Sequence, residues 1–179
     1  MSSPKYYTGV GAREVPDSIF NEMKMIAKAM ARNLYVVRSG AAVGSDTAFE
    51  VGAGANTEIY LPWDGFNGHT SACGAHLNAK SLYNYDKAMY IASMHHPAWE
   101  SLKQGVKALH ARNAYQVLGF GLDNPSQVLI CYAQPIGIKK VKGGTATAVS
   151  IAHDYGVPVY NLWHPKDLTE IKRIVGIYD

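Results

Sequence analysis

Three glycine-rich polar turns, each leading from an apolar run into a helical pattern, constrain this chain more than any other feature of its sequence. They are Gly9-Val10-Gly11-Ala12-Arg13-Glu14 after the run at 5–8, and Ser39-Gly40-Ala41-Ala42-Val43-Gly44-Ser45-Asp46 after 34–38. The third, Gly143-Gly144-Thr145-Ala146-Thr147, is reached from 127–133 by a longer loop. A strand that turns on glycine into a helix presents free backbone N–H groups and the positive end of the helix dipole to an anion. Three such turns on one small sheet predict a pocket for a phosphorylated or nucleotide-like ligand.

The rest of the chain alternates in the same way. Pro16 and Asp17 start a helix over 17–32, with Ile19, Met23, Ile26 and Met30 on one face. A short helix follows at about 45–51, then a strand at 57–61 closed by Pro62-Trp63. Residues 64–86 are rich in Gly, Asn, His and Tyr without a period, which predicts a long loop or insertion closing over the pocket. Tyr83 and Tyr85 are its candidates to stack a base, although packing explains most of the tyrosines. Helices are expected at about 86–94 and 98–110, the second carrying Trp99, Leu102, Val106 and Leu109 behind Pro97, with Arg112-Asn113 opening a short segment after it. A strand at 127–133, a helix at 145–155 stopped by Gly156, a strand at 157–163 and a last helix with Leu168, Ile171 and Val175 complete the pattern. Alternation of this kind implies right-handed crossovers. The expected fold is α/β: one doubly wound, Rossmann-like domain over 1–179 with a mostly parallel sheet of about five or more strands.

Composition narrows the partners. A chain of 179 residues, 47% hydrophobic and 17% charged, has the makings of one buried core. Its net charge of +3 does not argue for nucleic acid, so single-stranded DNA is not an expected partner. Lys139, Lys140 and Lys142, just ahead of Gly143, read either as a solvated loop or as a phosphate-facing patch. No apolar run reaches the ~18 residues that span a bilayer, and the first residues lack an apolar signal segment, so a cytoplasmic protein without a membrane partner is expected. Cys73 and Cys131 are lone thiols without zinc or disulfide spacing, and Cys131 reads as a core residue. His95-His96 has no carboxylate or cysteine at matching spacing, so neither a metal nor a cofactor is expected.

In an open α/β sheet the ligand lies beyond the carboxyl ends of the strands, near the reversal of strand order, and all three turns fall on that edge. The first keeps only two glycines of the GxGxxG dinucleotide fingerprint, and a P-loop is absent. Asp46 and Glu50 share a helix face four residues apart: either Asp46 contacts ligand hydroxyls or caps the turn with Glu50 as acid or base, or they are carboxylates serving their own helix dipole. Arg13 suits bidentate contact with phosphate, and Glu14 beside it completes the catalytic candidates Glu14, Asp46 and Glu50.

These motifs together resemble the Smf/DprA–LOG (SLOG) superfamily of Rossmann-like nucleotide-binding domains, over most of the chain. The segment Ser39–Asp46 is similar to the SGGARGID signature of the DNA-processing protein A family, and Arg112-Asn113 to its RN pair. Thr8–Glu14 is similar to the G-[SA]-R-[DE] opening of small relatives, and 143–159 to their closing GT-helix-strand unit. The chain departs from the family at Val43 and Glu50, where the DNA-processing pattern has Arg and His. It departs from the phosphoribohydrolase motif PGGxGTxxE at Ala146 and Ser150, the latter replacing the glutamate.

What the resemblance implies is a stand-alone DprA-like domain for a signalling or modified nucleotide. Backbone N–H groups at Gly11–Arg13, Gly40–Gly44 and Gly143–Thr145 would hold phosphates with Arg13 and Arg112. Ser39, Asp46, Asn113, Thr145 and Thr147 would fix ribose or base. Sequestration of the nucleotide, as in phage anti-defence proteins, is the leading implication, with homo-oligomers expected. The alternatives are a LOG-like N-glycosidic or phosphodiester hydrolase and a DprA-like single-stranded DNA binder.

Overall fold

The computed structural model describes residues 2–178; the side chain of Cys73 lies outside the described set. Strand β1 (Lys5–Gly11) leads through the first glycine turn into α1 (Asp17–Arg32), and β2 (Tyr35–Ser39) through the second into α2 (Ser45–Ala53). After β3 (Thr57–Leu61) and β4 (His76–Asn78) come α3 (Tyr85–Met94) and α4 (Gln104–Leu118). The chain continues as β5 (Leu129–Tyr132), a two-stranded antiparallel hairpin of β6 (Pro135–Gly137) and β7 (Lys140–Val141), α5 (Thr145–Asp154), β8 (Val159–Asn161) and α6 (Pro165–Val175). The main sheet has six parallel strands in the order β4-β3-β2-β1-β5-β8. This is the expected doubly wound α/β architecture.

Two apolar layers explain why the helices sit where they do. On one face α1, α2 and α6 bury Met23, Ile26, Phe49 and Ile171 against Tyr7, Val37 and Ile130 of the sheet. On the other, α3, α4 and α5 bury Ile91, Tyr115, Leu118 and Ile151 against Val10, Leu129 and Cys131. Cys131 is a fully buried free thiol, as a core reading requires. None of the described helices is long and apolar enough to cross a membrane.

The structure departs from the sequence reading in two places. Residues 64–86 supply β4, which extends the sheet beside β3, and Phe66, which packs with Ala41, Ile59 and Leu61. Asn67 Nδ2 donates to the Ala41 carbonyl of the second glycine turn at 2.9 Å, while no residue of 64–86 lines the cavity described below. Tyr83 is largely exposed beside Phe120 and away from the glycine turns, with ring centroids 5.9 Å apart. The expected helix at 98–110 is a short 3-10 turn at Trp99–Ser101 followed by α4, whose Lys103 N-cap is extended. Arg112 and Asn113 therefore lie inside α4. From Ala108 onward nearly every α4 residue is buried, so no one-sided stripe reveals its continuation.

Candidate functional site

Strand order reverses at β1, which pairs with β2 on one side and β5 on the other. The loops leaving β1 and β5 diverge there, and a cavity of about 980 Å³ opens between them. Of the residues singled out from sequence, Gly11, Arg13, Glu14, Asp46, Arg112, Asn113, Gly143, Gly144 and Thr145 line it. Ser39, Gly40, Gly44, Glu50 and Thr147 do not.

The second glycine turn is tied into the protein's own framework. Two of its backbone N–H groups go to carboxylates of its own helix: Ala41 N–H donates to Glu50 Oε1 at 3.0 Å and Ala42 N–H to Asp46 Oδ2 at 3.3 Å. Gly44, at φ +84°, abuts the Arg13 carbonyl where a side chain would clash, while Ser45 N–H and Oγ both donate to the Ala12 carbonyl. The turn thus buttresses the first turn. Ser39 Oγ donates to the Gly9 carbonyl at 2.6 Å, a bond between neighbouring strands. Thr147 Oγ1 pairs with His110 Nδ1 at 2.8 Å across α4 and α5.

The third turn keeps its open geometry. Gly143 has φ +84°, and neither it nor Gly144 has a neighbour within 4 Å of where a Cβ would stand. The turn enters α5, whose first N–H groups have no acceptor within the helix. Asn113 Nδ2 donates to the Gly144 carbonyl at 2.9 Å, fixing the turn to α4.

Charge around the cavity is mixed. Exposed Arg13 and Lys142 and buried Arg112 bring positive charge, and Glu14 and Asp46 negative. Burial pushes the Asp46 carboxyl up to about 6, while Arg112, the Ala42 and Gly40 N–H groups and Arg13 pull it down. Glu50, behind it, is pushed up to about 7 by burial and then by the Asp46 charge. Burial, with His96 and Arg112 nearby, lowers His110 to about 4, so its ring is neutral at physiological pH. Asp46 caps the turn through the Ala42 N–H, and Glu50 holds it from behind through the Ala41 N–H.

Sequence reasoning missed several lining residues. Tyr132 and Trp163 form an aromatic wall, with centroids 5.2 Å apart and Trp163 42% exposed. His110 and Gln116, from the buried half of α4, face the cavity opposite them. Their one sequence signal was polarity within an otherwise apolar stretch, legible only once α4 is known to continue.

No protein-family model and no curated protein matches the sequence. Among solved structures, the chain is similar to DNA processing protein A from Helicobacter pylori, described for its single-stranded DNA binding mode. The TM-score is 0.57 at 16% identity, over 98% of this chain and 82% of that one. It is also similar to DNA processing protein A from Streptococcus pneumoniae, with a TM-score of 0.48 at 17% identity, over 88% of this chain and 50% of that one. The chain shares the Rossmann-like α/β fold of the Helicobacter pylori protein. Setting single-stranded DNA aside as a partner is overturned, since a protein of this fold along nearly all of this chain binds it. Net charge is no ground for setting such a partner aside, because binding follows local cations, and Lys139, Lys140 and Lys142 lie together on and just after the β6–β7 hairpin, Lys142 lining the cavity.

Proposed function

We propose that this chain binds a nucleotide unit in the cavity between the ends of β1 and β5. The observation that carries the reading is the convergence there of the open Gly143–Thr145 turn, the cations Arg13, Arg112 and Lys142, and the Tyr132–Trp163 wall. Phosphate oxygens accept from the turn and the start of α5. The base stacks on exposed Trp163, a contact that tolerates any base.

Single-stranded DNA is the favoured source of that unit. The likeness in fold supports it, and so does the lysine hairpin beside the cavity. A free nucleotide derivative, held without cleavage, is the second reading. Supporting it, the cavity of about 980 Å³ falls within the range of small-molecule sites, and both Asp46 and Glu50 are committed to backbone N–H groups.

Fluorescence anisotropy of a labelled oligothymidylate, with nucleoside 5′-monophosphates both as competitors and titrated directly by calorimetry, tests both. Binding of the oligonucleotide with weak competition supports the strand. Tight binding of a monophosphate with no oligonucleotide binding supports the free nucleotide, and failure of both refutes the site.

A further inference from the structure

Gln116 is 1% exposed and lines the cavity, yet among the described residues neither polar atom of its carboxamide has a hydrogen-bond partner. Arg112, one helical turn earlier on α4, is 7% exposed and donates from Nη1 to the Gly40 carbonyl, while its Nε is also unpartnered. Both groups crowd the side of Gly40 where a Cβ would be, Arg112 Nε at 2.9 Å and Gln116 Nε2 closer still. The cavity wall therefore holds a compact set of two donors and one acceptor whose pairing is left open.

Such an arrangement is costly for folding alone. A buried polar group without a partner destabilises by roughly 1–3 kcal/mol. The neighbours Ala114, Tyr115, Val117 and Leu118 are all buried hydrophobics, so methionine or leucine at 116 would suit the core better. Groups that lower stability while lining a cavity are expected where a ligand completes them. A planar carboxamide offers a donor beside an acceptor, the complement of the edge that every nucleobase carries. A phosphate, which only accepts, leaves Gln116 Oε1 unpaired.

We infer that Gln116, assisted by Arg112 Nε, is the specificity-determining group that reads the base edge of the bound nucleotide. The inference rests on the nucleotide reading above. It turns the edge of the base stacked on Trp163 toward α4 and leaves the phosphate to the Gly143–Thr145 turn.

Calorimetric titration with nucleoside 5′-monophosphates and with ribose 5-phosphate, on wild type, Gln116→Met and Gln116→Leu, tests it. Thermal unfolding is recorded for each protein. Both variants are expected to unfold at a higher temperature than wild type, to bind at least one monophosphate roughly 10–100-fold more weakly, and to bind ribose 5-phosphate unchanged. Unchanged monophosphate affinity in the better-folding variant overturns the inference, as does an equal loss for both ligands. If wild type binds ribose 5-phosphate as tightly as every monophosphate, the nucleotide reading survives in its phosphate part and the base-reading role of Gln116 falls. If wild type binds none of these ligands and no oligonucleotide, the nucleotide reading itself fails.

Discussion

Arg112 Nη1 donates to the Gly40 carbonyl at 2.7 Å, joining the middle of α4 to the turn after β2. The guanidinium also lies over the Phe66 ring, 5.2 Å from its centroid, and its charge favours ionisation of Asp46. One buried cation thus ties together the long segment after β3, the second glycine turn and the central helix. Replacing it with methionine breaks the bond and leaves the Gly40 carbonyl and Asp46 without it. A loss of about 2–4 kcal/mol is expected in urea unfolding. A loss below about 0.5 kcal/mol, the scale of an ordinary surface change, contradicts this role.

Two glycines in different turns are expected to respond oppositely to alanine. At Gly40 the new methyl group meets Gln116 Nε2 and Arg112 Nε, and overpacking of this kind destabilises by about 1–3 kcal/mol. At Gly144 the backbone is already helical, at φ −62°, and the surrounding space is open. Gly144→Ala should therefore leave the melting temperature almost unchanged while weakening phosphate binding, because the methyl group enters the cavity. Equal melting temperatures for the two variants would show that the second turn does not pack as described.

Stability should depend on pH through Glu50. Its carboxyl is pushed up to about 7, so the folded protein keeps a proton that the unfolded chain releases near its ordinary value of about 4.3. The stability this provides is full below that lower value and is lost as pH rises through about 7. His110, lowered to about 4, works in the opposite sense: its contribution is present above about 6.5 and is lost as pH falls through about 4. Comparison with Glu50→Gln isolates the carboxylate. Relative to that variant, wild type should lose on the order of 2 kcal/mol between about pH 5 and pH 8. A pH-independent difference would show that Glu50 is ionised throughout.

The lysine hairpin separates the two sources of nucleotide. Each phosphate contact on a single strand adds about 0.7 to the slope of log affinity against log salt. Replacing Lys139, Lys140 and Lys142 with alanine should lower that slope for an oligothymidylate by about 2. Of the three, only Lys142 lines the cavity, so a nucleoside monophosphate should lose much less salt dependence. An unchanged slope for the oligonucleotide removes the hairpin from any strand path.

The sheet and the outer helices were legible because their physics is local. The helix over 17–32 carries its stripe and its start signals within itself, and it is found at Asp17–Arg32. Strand β4 was hidden because an edge strand of three residues, His76–Asn78, is too short to show alternation. Helix α4 was cut short at His110 because its buried half is covered on all sides and shows no stripe. Within the site, the first and third turns could be read from glycine placement alone. That the second turn spends its N–H groups on Asp46 and Glu50 depends on side-chain conformation, which the motif does not reveal. Trp163, just after β8, and Gln116, within α4, are brought to the cavity only by tertiary packing.

The most direct test of the nucleotide site is a two-dimensional ¹H–¹⁵N NMR titration of the protein with a nucleoside 5′-monophosphate. The account predicts that the amides of Gly11, Arg13, Gly143, Gly144 and Thr145 and the indole N–H of Trp163 shift together, with a single affinity, while those of Tyr83 and Phe120 stay still. Shifts clustered on the 64–86 segment, or none at saturating nucleotide, would contradict it.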